Sequence, residues 1–286
     1  MALESLKSMD SETIDVVVLA SGINRIPLFP GDRPGTKALV DFHGKSSLRY
    51  VLDALDAVEG LGRVCVEGPA PSIDEELAGR SGRRPLERIE GGETFLDSLV
   101  RGLEHFRGST RVLFVTADLP LLEPEAVRDF LHEIDQADPA REGMLHVSAV
   151  PKDAFSGVFA RPTKPFNGYR GMPVCHGNLF VADPRLLDRP GVRARIDRMY
   201  AGRKSAIASS WALGLDVALV YMLGVEVLHL IPLRSMARYL SKRYGFGIVP
   251  VVVRHPGITE DVDEPDDYEF VRDRLAERRR EVAGCA

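Results

Sequence analysis

The stretch VVVLASGINRIP, residues 16–27, decides the fold that we expect of this chain. It completes a nearly continuous apolar run, IDVVVLA at 14–20, and adds small residues, a glycine and an arginine. An apolar run without alternation is typical of a strand covered on both faces, as strands of a parallel sheet are. Small residues at such a strand end let backbone amides face a phosphate group, so the junction is typical of a phosphate-binding turn.

Strand patterns alternate with helical patterns through the first half of the chain. The predicted elements, in chain order, are a strand at 14–20, a helix at 46–58, a strand at 62–68, a helix at 91–106, a strand at 111–116, a helix at 123–134 and a strand at 145–150. This order predicts an α/β fold, a Rossmann-like three-layer sandwich with a mostly parallel sheet and helices on both faces.

The alternation loosens after residue 150. Residues 161–184 are rich in glycine and proline and predict a hairpin or a loop excursion. Helical patterns fill much of 192–244, and a strand at 246–254 and a helix at 264–280 follow. We therefore expect a single domain at 14–274, with 192–244 as a helical subregion inserted before the last strand.

Composition excludes several classes of protein. The chain has 286 residues, of which 44% are hydrophobic and 28% charged, as in ordinary globular proteins. Its net charge of -5 argues against a nucleic-acid partner, since nucleic-acid binders usually carry a basic surface. Three widely spaced cysteines predict neither a zinc site nor a disulfide framework. The polar amino terminus lacks an apolar signal core, so we expect a cytoplasmic protein.

The apolar segment 211–233, WALGLDVALVYMLGVEVLHLIPL, is long enough to span a bilayer. Asp216, Glu226 and His229 interrupt it, and Pro232 breaks its helical pattern. We expect buried or docking helices here and no integral membrane insertion. Three roles stay open for them: part of the core, the interface of a homodimer, or a pocket for a lipid-like acceptor.

Charged residues follow three of the predicted strands. Arg25 and Lys37 follow the first strand, Asp118 lies in TADLP after the strand at 111–116, and Asp261 and Asp263 lie in TEDVDEPDD after the last. Because ligands of open parallel sheets bind outside the carboxyl ends of the strands, we expect these groups to converge. Cations with isolated carboxylates suit a nucleotide and Mg²⁺.

Three well-known motifs are absent from the chain. GxxxxGK[ST] is missing, which argues against a P-loop NTPase, and no GxGxxG follows the first strand. HExxH is missing too, and the seven histidines show no metal-ligand spacing.

The motifs that are present resemble those of a known family. VVVLASG, GTKALVDFHGKSSLRYVLDAL, GGETFLDSLVRGLEHF, VTADLPLLEPEAV and DVDEPDDYEFV occur in this order across about residues 14 to 274. In this order they resemble the GT-A-type nucleotidyltransferases, which include molybdenum-cofactor guanylyltransferase-like enzymes and cytidylyltransferases. The resemblance implies a sheet of the nucleotide-diphospho-sugar transferase type. It also implies Mg²⁺-dependent transfer of an NMP group from an NTP to a small phosphorylated acceptor, with release of pyrophosphate.

The resemblance also implies roles for individual residues. Lys37 and Asp118 would be catalytic, and Asp118, Asp261 and Asp263 would hold the metal. The implied nucleotide contacts are Leu19, Ala20, Ser21, Gly22, Arg25, Lys37, Gly92 and Ser98. The implied acceptor contacts are Arg161, Lys164, Asn178 and Lys204, with Arg170 and His176 as further ones.

Several of these assignments have alternatives. Asp118 is also placed to cap a helix that starts near Pro124. Asp261 and Asp263 are also placed to stabilise a helix dipole, and each cation has the alternative of being a solvated surface group. The family loop carries a second glycine and then an arginine, whereas Ile23, Asn24 and Arg25 follow Gly22 here. This departure leaves the choice of NTP open. It also leaves a second function open: a nucleotide-binding or membrane-associated protein that keeps the fold and has lost the reaction.

Overall fold

The computed structural model describes residues 13–32, 35–80, 82–161, 164–192 and 214–284. These residues contain seven strands: β1 (Ile14–Leu19), β2 (Leu61–Glu67), β3 (Leu86–Ile89), β4 (Val112–Thr116), β5 (Gly143–Pro151), β6 (Val174–Ala182) and β7 (Gly247–Val252). They form one sheet in the order β3-β2-β1-β4-β6-β5-β7. Only β6 runs antiparallel to its neighbours, so the predicted mostly parallel α/β sheet is confirmed.

Seven α-helices are described from end to end: α1 (Ser47–Asp56), α2 (Ser72–Leu77), α3 (Phe95–His105), α4 (Pro124–Ala137), α5 (Leu215–Tyr221), α6 (Leu233–Tyr244) and α7 (Pro265–Gly284). Side-chain caps start two of them. Ser46 Oγ accepts the Arg49 N–H at 3.2 Å before α1, and Thr94 Oγ1 accepts the Asp97 N–H at 3.2 Å before α3. Gly245 ends α6 with the left-handed φ of 78° that favours glycine.

The sheet is buried on both faces, which explains the continuous apolar run of β1. Val16 and Val18 pack in the core that includes α1 and α4. Val17 and Leu19 point the other way and pack in the core that includes α3. Successive strand residues thus supply two cores, and the predicted three-layer sandwich is confirmed.

The prediction for 161–184 needs a correction. A tight antiparallel pairing is present, since the Asn167 N–H donates to the Val174 carbonyl at 2.8 Å and the reverse bond is 3.2 Å. The chain then continues as β6, a strand between β4 and β5 in the middle of the sheet. The polar and small residues His176, Gly177 and Asn178 interrupt its apolar run, which is why the pattern does not predict a central strand.

The described part of the 192–244 subregion consists of α5, a π-helical turn (Met222–Val227) and α6. Val225, Leu233 and Met236 are buried there against Tyr169 and Val174. Within the described ranges, no helix is both long enough and apolar enough to cross a membrane.

A buried histidine makes the stability of this fold depend on pH. His146 of β5 is 1% exposed, and its Nε2 lies 3.1 Å from Asp138 Oδ2. Burial lowers the pKa of His146 below its ordinary 6.5. The unfolded chain therefore binds the proton more readily, so this contribution to stability is present above pH 6.5 and is lost as the pH falls through the lowered folded pKa.

We expect His146→Gln, which keeps an N–H donor for Asp138, to flatten the acid side of the stability curve. The measurement is urea unfolding of both proteins from about pH 7 to pH 5, the range in which histidine titrates. The difference between the two curves isolates His146 from other titrating groups. Curves that stay parallel over this range would contradict the prediction.

Candidate functional site

A cavity of about 260 Å³ opens at the carboxyl ends of β1, β2 and β4, beside the start of α3. We call it the strand-end cavity. Its lining includes the following predicted nucleotide contacts: Leu19, Ala20, Ser21, Gly22, Lys37, Gly92 and Ser98. It also includes Asp118. The first strand-to-turn junction and the acidic turn after β4 therefore meet in one place.

The loop after β1 folds back on itself. The Asn24 N–H donates to the Gly35 carbonyl at 2.8 Å, and the Lys37 N–H donates to the Gly22 carbonyl at 2.9 Å. A Cβ on Gly22 would lie 3.3 Å from Lys37 Cδ, so the lysine stem packs against this glycine. Arg25 lies in the exposed far part of the loop and is not among the residues that line the cavity. The structure thus brings Lys37 to the predicted site but does not bring Arg25 there.

Asp118 is held at the cavity by the backbone of its neighbour Ala117. The Ala117 N–H donates to the Leu19 carbonyl at 2.9 Å, and the Ser47 hydroxyl donates to the Ala117 carbonyl at 2.8 Å. Asp118 does not cap α4, because Glu123 is the N-cap residue of that helix. Its side chain is therefore available to a ligand.

Three carboxylates meet beside this cavity. Ligand oxygens of Asp118, Asp261 and Asp263 all lie within 4.8 Å of one another. Lys37 Nζ lies 3.5 Å from Asp118 Oδ2 and contacts Asp263 Oδ1. Burial, and then the negative charge of Asp118, raise the pKa of Asp261 above its ordinary value. One lysine thus faces three acids, an excess of negative charge that suits a cation.

The donor set fits Mg²⁺. Mg²⁺ takes oxygen ligands and is usually held by one or two carboxylates together with substrate phosphates. Asp118 Oδ1 is buried and has no hydrogen-bond partner among the described residues. A buried carboxylate oxygen without a partner costs free energy, which a bound cation would recover.

A second cavity, of about 550 Å³, adjoins the cluster and is lined by Asp261 and Asp263 too. We call it the β6 cavity. Its lining contains most of the predicted acceptor contacts: Arg161, Lys164, His176 and Asn178. Arg170 lines a different cavity. Lys204 lies outside the described residues.

Both cations of the β6 cavity are tied to one buried acid. Arg161 Nη1 lies 3.0 Å from Glu260 Oε2, and Lys164 Nζ lies 3.2 Å from Glu260 Oε1. Glu260 is 1% exposed, and these partners offset the cost of burying its carboxylate. Arg161 also lies 3.1 Å from Asp267, so Arg161 and Lys164 are fixed, ion-paired cations rather than freely solvated side chains.

Glu67 is a site residue that the sequence reasoning missed. This last residue of β2 is 0% exposed, yet it borders the strand-end cavity. The Ser21 hydroxyl lies 3.0 Å from each of its oxygens, and the Gly92 N–H donates to Oε1. An acid that ends an apolar strand and precedes a glycine, as in VCVEG, was the available signal.

Comparison with known proteins identifies the family. Residues 16–162, just over half of the chain, match the family model of the MobA-like NTP transferase domain. The chain belongs to this family. It is a nucleotidyltransferase, as the order of its motifs predicts. The match includes Lys37 and Asp118, whereas Asp261 and Asp263 lie beyond it. No curated protein matches this MobA-like transferase significantly in sequence.

Solved structures agree with this assignment of the MobA-like transferase. A hypothetical transferase from Thermus thermophilus is 29% identical, with a TM-score of 0.66 over 89% of this chain and 99% of that one. A CMP:2-keto-3-deoxy-manno-octonic acid synthetase complexed with CTP is 16% identical, with a TM-score of 0.54 over 93% and 98%. The 4-diphosphocytidyl-2C-methyl-D-erythritol synthase of Anaerococcus prevotii is 14% identical, with a TM-score of 0.56 over 94% and 98%. Because the last two structures have such low sequence identity to this chain, they show only that the fold is shared.

Proposed function

We propose that the chain transfers an NMP group from an NTP to a small phosphorylated acceptor, with Mg²⁺ bound and pyrophosphate released. The observation that carries this proposal is the position of the carboxylate cluster. Asp118 lines the strand-end cavity, whereas Asp261 and Asp263 line the β6 cavity. The cluster thus lies where a nucleotide in one cavity and an acceptor in the other would react.

The nucleotide phosphates would lie at the turn after β1. The Ser21 and Gly22 backbone amides would supply donors there, and Lys37 would supply a positive charge. The Ala20 N–H already donates to the Glu67 carbonyl at 2.7 Å. Mg²⁺ held by Asp118 and one or both of the other aspartates would supply further positive charge to stabilise the charge that develops on the transferred group. Because the cavity persists despite the altered loop, we favour a catalytic protein over a binding protein that has lost the reaction.

The acceptor would occupy the β6 cavity, with its phosphate facing the cluster. One of its phosphate oxygens forms the new bond to the α-phosphorus as the bond from that phosphorus to the pyrophosphate oxygen breaks. Arg161 and Lys164 line this cavity, and their ion pairs with Glu260 hold both side chains in place, so they would contact the acceptor without further ordering. Holding both reactants in line is the main work left to the protein.

Thermal unfolding with ATP, CTP, GTP and UTP, each with and without Mg²⁺, tests the nucleotide half of the proposal. A ligand at 100 times its dissociation constant adds about 2.7 kcal/mol to the folded state. We expect one NTP to raise the melting temperature in a metal-dependent way. Pyrophosphate release with a set of sugar and polyol phosphates then tests the transfer. Shifts in melting temperature that do not depend on Mg²⁺, or the absence of a shift with every NTP, would contradict the proposal.

We propose that Glu67 positions the nucleotide-binding turn. It is 0% exposed, and its carboxylate accepts hydrogen bonds from the Ser21 hydroxyl and the Gly92 N–H, so it acts through these two cavity-lining residues. A carboxylate accepts hydrogen bonds only, so both donors depend on its two oxygens. We therefore expect a change at Glu67 to weaken the binding of every NTP.

Glu67→Gln replaces one acceptor oxygen with a donor and tests this assignment. A buried donor left without its acceptor costs about 1 to 3 kcal/mol, so the dissociation constant of each NTP should rise about fivefold or more. The measurement is the dissociation constant of each NTP by calorimetry. Glu125→Gln, an exposed acid of α4, is the control and should bind each NTP as the unchanged protein does. Unchanged dissociation constants in Glu67→Gln would refute the assignment but leave the transfer reaction intact.

A further inference from the structure

The outward side of the helical subregion is apolar. Six large side chains there are between 47% and 60% exposed: Leu219, Met222, Leu223, Val227, Leu228 and Leu230. We call them the apolar rim. A surface helix normally turns polar residues outward. The two acids of this segment are both engaged, Asp216 with Arg243 and Glu226 with Asn167.

A basic cavity lies beside this rim. It is lined by Lys152, Arg170 and His229, together with Phe166 and Tyr169, and no carboxylate is among its described lining residues. The rim and the cavity are continuous in the chain, because His229 stands between Leu228 and Leu230.

His229 is fixed in place at the edge of the cavity. Its Nδ1 lies 2.9 Å from the Gly168 carbonyl and 2.8 Å from the Val225 carbonyl, so Nδ1 carries the hydrogen. A Cβ on Gly168 would come within 1.9 Å of this nitrogen, so the close approach requires glycine there. The backbone φ of His229 is 51°, a left-handed conformation that a non-glycine residue adopts only when its surroundings hold it.

The sequence stretches around the basic cavity are one-sided in charge. No acidic residue occurs in 154–182 or in 227–259, the stretches that supply most of the basic cavity and all of α6. Arg234, Arg238 and Lys242 lie four residues apart along α6, and all three are exposed. The two stretches that supply most of the basic cavity and α6 thus carry cations without acids in a chain whose net charge is -5.

We infer that this face docks on a membrane surface that carries anionic phospholipids. Headgroup phosphates would lie at the basic cavity, and the apolar rim would enter the boundary between headgroups and acyl chains. A second copy of the chain fits less well as the occupant. A two-fold dimer places the same patch against itself, so the cations would face one another.

The docking face also adjoins the β6 cavity. Tyr169 lines the basic cavity, and its hydroxyl lies 3.3 Å from Nε2 of His176, which lines the β6 cavity. A docked protein would therefore hold the β6 cavity close to the membrane surface. The docking itself does not depend on the proposed reaction, because it is measured without nucleotide or acceptor.

Co-sedimentation of the full chain with lipid vesicles tests the inference. We expect binding to vesicles of phosphatidylcholine mixed with phosphatidylglycerol, and much weaker binding to phosphatidylcholine alone. Raising the salt concentration should weaken binding, because exposed charges are screened. Each cation near an anionic surface contributes about 1 kcal/mol, so Lys152→Gln and Arg170→Gln should each lower the partition coefficient about fivefold.

Matched variants separate the apolar rim from exposed apolar residues in general. Leu228→Ser combined with Leu230→Ser should lower the partition coefficient roughly tenfold or more, since burial of each leucine side chain contributes strongly. Val158→Ser and Arg49→Gln are the controls. They alter an exposed valine and an exposed arginine outside this face and should bind like the unchanged protein. Because every altered side chain is exposed, the variants should keep their circular dichroism and melting temperature.

Three outcomes would overturn the inference. One is an absence of binding to anionic vesicles at low salt. Another is binding that the rim and cavity variants leave unchanged. A third is a dimer, seen by sedimentation velocity, that Leu228→Ser with Leu230→Ser dissociates while vesicles do not bind, since the face would then belong to self-association. Nucleotide binding is expected to be unchanged in all these variants, so failure here does not bear on the transfer reaction.

Discussion

Asp118→Asn is expected to abolish the metal-dependent stabilisation by NTP and to lower kcat/KM by about a hundredfold or more, as loss of one charge-stabilising group does elsewhere. Asparagine keeps the shape of the side chain but removes its charge. The change therefore acts on the cluster that Asp118 forms with Asp261 and Asp263, the only such group of acidic, histidine and cysteine side chains in the described part of the chain. The measurements are thermal shifts with Mg²⁺ and NTP, and pyrophosphate release.

The same change should not lower the stability of the ligand-free protein. Asp118 repels Asp261, whose pKa is raised by burial and then by that charge, and Asp118 Oδ1 is buried without a partner. Removing the charge relieves this repulsion, although it also loses the contact with Lys37 at 3.5 Å. Asp273→Asn, an exposed acid of α7 paired with Arg272, is the control and should leave catalysis unchanged. Full activity with an unshifted metal requirement in Asp118→Asn would exclude Asp118 as a metal ligand.

The sequence predicts the first half of the fold well because those strands are buried on both faces. β1 and β4 are continuous apolar runs, and amphipathic helices follow them. β3 was missed because it is an edge strand, LERI, with only partly buried or exposed residues and no apolar run. β6 was missed as a central strand because polar and small residues occupy its middle, where it borders a cavity.

The site residues also divide into those that the sequence predicts and those that it does not. The convergence of Lys37, Asp118, Asp261 and Asp263 was predictable, because the loops that follow parallel strands meet at one edge of the sheet. The position of Arg25 was not predictable, because it depends on hydrogen bonds within the loop, such as the one from the Asn24 N–H to the Gly35 carbonyl. Motif order also cannot reveal that Arg161 and Lys164 share Glu260, since that pairing depends on two distant loops.

Lys37→Met is expected to lower kcat/KM by about a hundredfold to a thousandfold, since removal of one positioned charge-stabilising group typically costs this much. Lys37 packs against Gly22 and reaches both Asp118 and Asp263, so it is the cation nearest to where the phosphates are placed. Methionine preserves the length and packing of the stem but not the charge. Lys45→Met, which breaks an ion pair with Asp53 elsewhere, is the matched control and should retain activity.

This variant should affect stability in the opposite sense to Asp118→Asn. Without Lys37, three carboxylates lie together with no lysine between them, so the ligand-free protein should lose roughly 1 to 3 kcal/mol. Mg²⁺ alone should then stabilise Lys37→Met more than the unchanged protein, because the cation replaces the missing charge. Urea unfolding with and without Mg²⁺ measures both effects. If Mg²⁺ stabilises the two proteins equally, Lys37 and the metal do not share the cluster, and the lysine must act on the nucleotide alone.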